Sequence, residues 1–259
     1  MPRMWPLHEV HTERSTHTEA LDRIADGEAG PFGLYSFVQR EGLGQHGRRW
    51  EHSGEALGLS LAWPVPANQE ILSLSAVGPA PWPAWIGLSV VEVLWPLVEE
   101  RAQRLLGLKW PNDLMLGTRK FGGVLVQSLR RQSRDWLVAG VGINGRWTAP
   151  VPRAFDASAL LDLSSSLALR ELIDPIARAI ESLATAPTID APALAARFNA
   201  LDVYVGRRVC LMPVVGEAGG FFGESLGMNA SGRLVIRTER GTREVAMGEL
   251  SLRGSGEIS

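Results

Sequence analysis

Residues 109–127 read KWPNDLMLGTRKFGGVLVQ, and this segment carries the clearest pattern of closely spaced strands. Apolar runs at 109–116 and 123–129 are predicted to be two strands joined by a turn at 117–120, and residues 136–143 are predicted to be a third strand. The connections between these strands are too short for a helical crossover. The strands are therefore expected to pair antiparallel, and a plain βαβ array is excluded.

The rest of the chain is predicted to add helices, further strands and a small C-terminal β-barrel. Apolar spacing predicts strands at 34–39 and 57–63, and helices at 15–24 (with Ser15 or Thr16 as N-cap), 85–106, 167–183 and 192–201. Five short alternating runs predict the barrel, at 208–212, 221–226, 234–237, 244–247 and 250–252. The predicted fold class is α+β: a mixed, mainly antiparallel sheet packed with helices in residues 1–200, and a small β domain in residues 201–259.

The composition is that of an ordinary globular protein, with 45% hydrophobic residues, 21% charged residues and a net charge of −2. This charge does not point to nucleic acid or to an anionic membrane. Cys210 is the single cysteine, so an internal disulfide and a CxxC site are excluded. The N-terminal residues lack the apolar core of a signal peptide, and the most apolar stretch, 82–98, is too short for a membrane span. The sequence thus predicts a cytoplasmic protein.

The lysines are concentrated in one place. Of the 26 basic residues, only Lys109 and Lys120 are lysines, and both lie in residues 109–127. Because lysine is a compact point charge and arginine a planar fork, the clustering indicates a site that needs an ammonium group. Chance clustering, with a turn and a surface salt bridge, is the alternative. Asp113 is a candidate acceptor for a ribose hydroxyl or ligand for Mg²⁺. In an unbroken strand, Lys109 would share a face with Pro111.

A glycine-rich loop, GLGQHG at residues 42–47, precedes Arg48, Arg49 and Trp50. It has the GxGxxG spacing of a dinucleotide fingerprint, but no helical pattern follows, which disfavours that interpretation. The glycines allow close backbone approach, the arginines can donate to phosphate, and Trp50 offers a surface for stacking. A basic surface loop with Trp50 packed into the core is the alternative.

Two other candidate motifs predict no chemistry. HEVH at residues 8–11 is one residue short of the HExxH zinc motif and lies in what reads as a flexible leader, so no metal cage is expected. The sequence has no GxSxG, and Cys210 lies inside an apolar run. Cys210 is therefore interpreted as a core residue and not as a nucleophile.

Four blocks of the sequence resemble, in order, those of the biotin protein ligases, which activate biotin with ATP and attach it to a carrier-protein lysine. The blocks are Ser15-Thr16 with the helix after it, GLGQHGRRW after Gln39, KWPNDLML with RKFGGVLVQ, and AGVGINGRW. The C-terminal strands ending in GELSLR are similar to the family's SH3-like domain. The resemblance covers residues 15–147 and 203–253. It implies a class II synthetase-like ligase fold with a C-terminal SH3-like β-barrel.

The resemblance implies a role for each residue that matches a family motif. Lys120 and Arg48 are implied to be catalytic, because they would neutralise charge on the biotin carboxylate and the phosphates. The implied biotin pocket consists of Ser15, Thr16, Gln39, Gly42, Lys120 and Gly123. The implied nucleotide site consists of Arg48, Trp50, Lys109, Asn112, Asp113 and Asn144. ATP with Mg²⁺ is the implied cosubstrate, and Asp113 is the candidate metal ligand.

The implied reaction forms biotinyl-5′-AMP with release of pyrophosphate, and then biotinylates a lysine of a biotin carboxyl carrier protein of acetyl-CoA carboxylase. The family's ligase-repressors add a helix-turn-helix domain, whereas only 14 residues precede Ser15 here. The sequence therefore predicts no operator binding, no nucleic-acid partner and no membrane partner. A homodimer stays open.

Three positions depart from the family pattern. Leu43 and Gln45 stand where the family's loop usually carries arginine, and His17 replaces the usual asparagine. We expect these changes to weaken the hold on the adenylate intermediate. The alternatives to a biotin ligase are a lipoate-type acyl ligase, which shares the catalytic fold, and a regulator that binds biotin or biotinyl-AMP without turnover. A dehydrogenase based on GxGxxG is the least favoured.

Overall fold

The computed structural model describes residues 5–39, 41–44, 49–50, 54–65, 81–147, 158–162, 167–211 and 220–246. A seven-stranded sheet forms its centre, with strands β1 (Leu7–Glu9), β2 (Phe32–Ser36), β5 (Gly54–Pro64), β6 (Leu106–Lys109), β7 (Asp113–Leu116), β8 (Arg119–Arg131) and β9 (Arg134–Trp147). Their order across the sheet is β1-β2-β5-β9-β8-β7-β6. Only β1 and β2 pair in parallel; the other pairs are antiparallel. A separate ribbon contains β3 (Gly42–Leu43) and β4 (Arg49–Trp50).

Helices pack on both faces of the seven-stranded sheet. They are α1 (Thr16–Ala25), α2 (Trp82–Leu94), α3 (Glu100–Gln103), α4 (Ile173–Thr185), α5 (Ala191–Leu201) and three short 3₁₀ helices, Trp95–Leu97, Leu160–Asp162 and Leu169–Leu172. α1 packs on one face, where Ala20 and Ile24 are buried against Trp136 and Val138 of β9. α2 and α4 belong to the larger core on the opposite face.

The sequence of β5 separates these two faces. Leu57, Leu59 and Leu61 alternate along the strand and are fully buried in the larger core. The residues between them, Gly58 and Ser60, are small and point to the face that carries α1. The sheet therefore has one bulky apolar face and one face with small residues beside the N-terminus of α1.

A small antiparallel sheet follows the helices. Its strands β10 (Arg208–Leu211), β11 (Phe221–Met228), β12 (Leu234–Thr238) and β13 (Gly241–Val245) pair in chain order. The predicted α+β class, a mainly antiparallel sheet with helices and a small C-terminal β sheet, is confirmed. The predicted fifth strand, 250–252, lies outside the described residues. In the described part of the chain, no helix is long and apolar enough to cross a membrane.

The predicted strand at 109–116 is wrong in one respect. β6 ends at Lys109, Trp110–Asn112 form a turn that contains a cis Trp110–Pro111 peptide bond, and β7 begins at Asp113. Lys109 and Asp113 are consequently cross-strand partners. The expected sharing of a face by Lys109 and Pro111 fails because period-2 alternation does not extend through a turn.

Two other predicted elements differ from the structure. The predicted helix at 85–106 ends at Leu94, and the 3₁₀ helix that contains Pro96 separates it from α3, because proline cannot donate to the continuing helix. The predicted flexible leader contains β1, which adds to the sheet edge beside β2. β1 has only three residues, so its alternation is too short to be read from sequence.

Candidate active site

One row of directly opposed residues crosses six strands of the sheet. In an antiparallel pair, directly opposed residues point to the same face. The pairs Ser36↔Gly58, Gly58↔Gly142, Gly142↔Gly123, Gly123↔Asp113 and Asp113↔Lys109 are each in register. This cross-strand row lies on the face that carries α1. Its centre is therefore a floor of three glycines, with a carboxylate and an ammonium group at one end.

Each floor glycine lies under a different side chain. A Cβ at Gly58 would collide with the amide of Gln39, and a Cβ at Gly142 would lie 2.9 Å from the Trp50 ring. A Cβ at Gly123 would lie 3.2 Å from Lys120 Nζ. Only glycine fits at these three positions without a displacement of the side chain that lies above it. The floor thus holds an amide, an indole and an ammonium group at three neighbouring positions, which is a surface suited to a ligand with polar, flat and anionic parts.

The N-terminus of α1 borders the Gln39 end of this floor. Ser15, one of the two predicted candidates, is the N-cap, and its side chain accepts a hydrogen bond of 3.1 Å from the backbone of His17. The Thr16 backbone donates to Gln39 Oε1 at 3.0 Å, and Thr16 Oγ1 lies 2.9 Å from Ser60 Oγ. Ser15, Thr16 and Gln39 are all buried. The structure therefore brings these three sequence-predicted pocket residues together.

His17 belongs to the first turn of α1, and its buried side chain lies close to the floor. Its Nδ1 atom would be 3.0 Å from a Cβ at Gly140, which is two residues from Gly142 along β9. Burial lowers the pKa of His17 to about 4, and a hydrogen bond with Gln127 opposes that shift. The imidazole is therefore neutral at pH 7 and adds no charge near the floor.

The two lysines of the chain share one carboxylate. Lys120 Nζ lies 2.6 Å from Asp113 Oδ1, and Lys109 Nζ lies 3.1 Å from Asp113 Oδ2. The Asp113 side chain is only 13% exposed. Burial raises the pKa of Asp113, but the ammonium groups of Lys120 and Lys109 outweigh burial and lower it. Asp113 is thus ionised at neutral pH, and the three residues form a partly buried lysine–carboxylate cluster.

This geometry does not fit Asp113 as a direct metal ligand. Each of its oxygens is paired with an ammonium group, so a divalent cation would have to displace both lysines. In the ranges that the structure describes, no group of three or more His, Cys, Asp or Glu residues could hold a metal ion. The arrangement makes Asp113 a support for the two lysines.

The two predicted asparagines are placed differently. Asn112 Nδ2 donates to the backbone oxygen of Val124 at 2.9 Å, and its own backbone oxygen accepts from Val124 at 2.9 Å, so Asn112 fastens the turn to β8. Asn144 lies two residues after Gly142 on the same face of β9. It is buried, and its amide oxygen has no hydrogen-bond partner among the described residues. Asn144 therefore places a buried acceptor without a donor partner beside the floor.

Arg48 and Gln45 lie outside the described residues, while their neighbours form the β3–β4 ribbon. Gly42 pairs with Trp50, and a Cβ at Gly42 would lie 3.1 Å from the Trp50 Cβ. The absence of a side chain at Gly42 thus lets Trp50 pack closely against the β3 backbone. Residue-by-residue reasoning missed the floor glycines Gly58 and Gly142. The signal for them is a glycine at a position of a strand that is otherwise strongly apolar, as in LGLSL and GVGI.

Comparison with known proteins identifies similar chains. The model of the biotin/lipoate A/B protein ligase family matches residues 12–144. The chain is 29% identical over 251 residues to the bifunctional ligase/repressor BirA of Escherichia coli, which covers 93% of this chain and 72% of BirA. It is 31% identical over 204 residues to the biotin–[acetyl-CoA-carboxylase] ligase of Mycobacterium tuberculosis, which covers 75% of this chain and 70% of that ligase.

Solved structures are similar over nearly the whole chain. The biotin protein ligase of Aquifex aeolicus in complex with biotin and ATP has a TM-score of 0.72 at 25% identity, covering 98% of this chain and 100% of that one. The biotin protein ligase of Leishmania major in complex with biotinyl-5-AMP has a TM-score of 0.61 at 20% identity, covering 95% and 99%. The second likeness concerns the fold alone.

Proposed function

Because the chain belongs to the biotin/lipoate A/B protein ligase family, we propose that it is an ATP-dependent biotin–protein ligase. It converts biotin and ATP to biotinyl-5′-AMP and pyrophosphate, and then transfers the biotinyl group to a lysine of a biotin carboxyl carrier protein of acetyl-CoA carboxylase. One observation carries the proposal. The cross-strand row sets a glycine floor between a polar pocket at Gln39 and the lysine–carboxylate cluster.

The polar pocket suits the neutral end of biotin. The buried side chains of Ser15, Thr16 and Gln39 offer donors and acceptors without a net charge, which matches an uncharged ureido ring. Gly58 lets the Gln39 amide lie close to the sheet at this end of the floor, and Lys120 lies at the far end for the carboxylate. Similarity to the biotin–[acetyl-CoA-carboxylase] ligase of Mycobacterium tuberculosis and to the biotin protein ligase of Aquifex aeolicus supports biotin over lipoate.

The other side of the floor suits the nucleotide. Trp50 presents an aromatic ring above Gly142, and the buried amide oxygen of Asn144 lacks a hydrogen-bond donor among the described residues. Lys109 contributes a second ammonium group on the phosphate side, and Arg48 in the adjoining loop is assigned to the phosphates. Asn112 holds the turn that carries Lys109. Mg²⁺ enters with ATP as part of the substrate.

Charge neutralisation supplies the chemistry. In the first step, a biotin carboxylate oxygen forms a bond to the α-phosphorus, and the bond from this phosphorus to the β-bridging oxygen breaks, so that pyrophosphate leaves. The carboxylate is already anionic and needs no base, whereas the phosphates need neutralising by Lys120 and Arg48. In the second step, the carrier lysine amine attacks the acyl carbon, AMP leaves with the acyl–oxygen electrons, and the amine loses a proton.

The test follows pyrophosphate release and labelling of a biotin carboxyl carrier domain in one tube with MgATP. We expect both with biotin and neither with lipoate. Lys120→Ala is expected to reduce release by roughly 100-fold or more, whereas the adjacent exposed Arg119→Ala serves as the matched control and keeps activity. Labelling with lipoate alone would identify a lipoate-type ligase. Biotin binding without release would identify a regulator, and either result would overturn the proposal. We assign the reaction to the cytoplasm, where ATP and the carrier occur together.

A further inference from the structure

Lys120 lies on a face of β8 where regular strand alternation does not place it. Gly123 belongs to the floor, and residues an odd number apart in a regular strand point to opposite faces. Lys120, three residues before Gly123, would therefore point into the larger core. Instead, its Nζ atom lies 2.6 Å from Asp113 Oδ1 and 3.2 Å from a Cβ at Gly123. A local irregularity between Lys120 and Gly123 must reverse the alternation.

The register of β7 and β8 contains a β-bulge at this point. Gly122 is opposite Leu114 but Lys120 is opposite Met115, so one step along β7 corresponds to two steps along β8. Phe121 is the extra residue and has no partner in this pair of strands. An extra residue shifts the phase of a strand by one. The bulge therefore places Lys120 on the face opposite to the one that regular pairing would give it.

Two contacts hold the bulge in place. The Phe121 side chain is fully buried in the larger core, on the side of the sheet opposite to the floor. The Lys120 backbone oxygen accepts a hydrogen bond of 2.8 Å from the Ser158 backbone. Ser158 precedes Ala159 and Leu160, which are both fully buried. The backbone around the bulge is therefore fastened by a core side chain and by a second segment that is itself anchored in buried surroundings.

We propose that Phe121 is the positioning residue for Lys120, because its buried ring fixes the bulge that turns Lys120 to the floor. The proposal rests on the function proposed above, since Lys120 is the residue assigned there to the biotin carboxylate. Pairing without a bulge would place residue 121 opposite Met115 on the floor side, and Lys120 on the core side. For phenylalanine this pairing costs the burial of the ring as well as the ion pair of Lys120 with Asp113. Alanine at position 121 removes the first of these costs, so we expect Lys120 to leave the floor.

The first experiment tests the bulge by cysteine cross-linking, in a chain whose single cysteine, Cys210, is replaced by alanine. Directly opposed residues of an antiparallel pair have Cα atoms about 4.5–5.5 Å apart, which is within reach of a disulfide. We expect Met115→Cys with Lys120→Cys to form a disulfide on mild oxidation. Met115→Cys with Phe121→Cys is the control pair, because pairing without a bulge would oppose these residues, and it should stay reduced. A disulfide in the control pair, or none in the first pair, would overturn the proposal.

The second experiment tests the role of Phe121 through lysine reactivity and needs no enzymatic activity. Lys109 and Lys120 are the two lysines of the chain, so limited acylation with acetic anhydride and peptide mass spectrometry compare them within one molecule. In Phe121→Ala we expect the ratio of Lys120 to Lys109 acylation to rise roughly fivefold. The reason is that Lys120 loses its ion pair with Asp113, whereas Lys109 keeps its own. Phe121→Leu keeps an apolar anchor and should hold the ratio near its original value.

Phe198→Ala is the matched control for the loss of a core ring. Phe198 is buried in the same core but lies on α5, so this variant measures how far weakened packing alone exposes the two lysines. An unchanged ratio in Phe121→Ala would overturn the proposal. An equal rise in Phe198→Ala would also overturn it, because it would show a general loss of packing. The cross-links decide whether the bulge exists even if Phe121→Ala does not fold.

The third experiment measures biotin-dependent pyrophosphate release. In Phe121→Ala we expect the KM for biotin to rise severalfold and kcat to fall roughly tenfold, because Lys120 no longer meets the carboxylate in a fixed position. Phe198→Ala is expected to lower only the amount of active enzyme, and an unchanged KM in Phe121→Ala would contradict the positioning role. No activity in the original chain would refute the proposed function, whereas the cross-links and the lysine ratio would still decide the role of Phe121.

Discussion

Asp202 is a buried residue directly after α5. Its substitution by asparagine is expected to stabilise the folded protein relative to the original chain, and this advantage grows as the pH rises. Burial raises the pKa of the Asp202 carboxyl from 3.8 to about 6, against opposition from the Tyr204 backbone and Lys109. A carboxyl whose pKa is higher in the folded state contributes stability while it is protonated. That stability is lost as the pH rises from below 3.8 through 6. Asparagine stays neutral at every pH, so the variant does not lose this stability.

The magnitude follows from the difference in pKa between the folded and unfolded chain. The difference of about 2 units corresponds to a limiting cost of about 3 kcal/mol for the charged side chain well above pH 6. About 1.6 kcal/mol of this cost is already present at pH 5, so about 1.4 kcal/mol develops between pH 5 and pH 8. An unpaired amide hydrogen in the variant would shift its stability by the same amount at each pH, and so would not affect this change.

The assay is urea denaturation of both proteins at several pH values from 5 to 8, followed by tryptophan fluorescence. We expect the advantage of Asp202→Asn in the free energy of unfolding to grow by about 1.4 kcal/mol over this range. A difference between Asp202→Asn and the original chain that is flat with pH would refute the reasoning, because it would mean that Asp202 titrates alike in the folded and unfolded chain.

Three further outcomes are expected. Gly142→Ala places a Cβ 2.9 Å from the Trp50 ring and should weaken ATP binding roughly tenfold in calorimetry. Gly30→Ala is the control, because Gly30 has open space around it, and should leave ATP binding unchanged. Equal ATP affinity in Gly142→Ala and the original chain would place Trp50 away from the nucleotide. Incubation with biotin and MgATP without a carrier should add few biotins, since both lysines are ion-paired with Asp113; several biotins per chain by mass spectrometry would contradict this. Gln45→Arg should slow the leak of adenylate measured without carrier, and an unchanged rate would show that the missing loop arginine is not the cause of leakage.

Local patterns in the sequence determined much of the fold and part of the site. Short connections after residue 116 predicted antiparallel strands, because two strands joined by a tight turn can only pair that way. A serine and a threonine before an apolar helical pattern predicted an N-cap at Ser15 or Thr16, and the structure places it at Ser15. The concentration of both lysines in one stretch indicated a charged site, and the structure joins them through Asp113. Each of these inferences depends on residues that are near one another in the chain.

The tertiary structure alone decided which distant residues meet. Gly58, Gly123 and Gly142 form one floor only because β5, β9 and β8 pair in a particular register, and a shift of one residue would turn every side chain to the other face. Asp202 pairs with Leu108 because the chain returns to β6 after α5, across about ninety residues of sequence. Periodicity reports the face on which a residue lies, but not the residue that lies beside it on the next strand. Strand register and the pairing of distant segments depend on packing of the whole core. Only the folded molecule therefore shows which distant residues lie side by side.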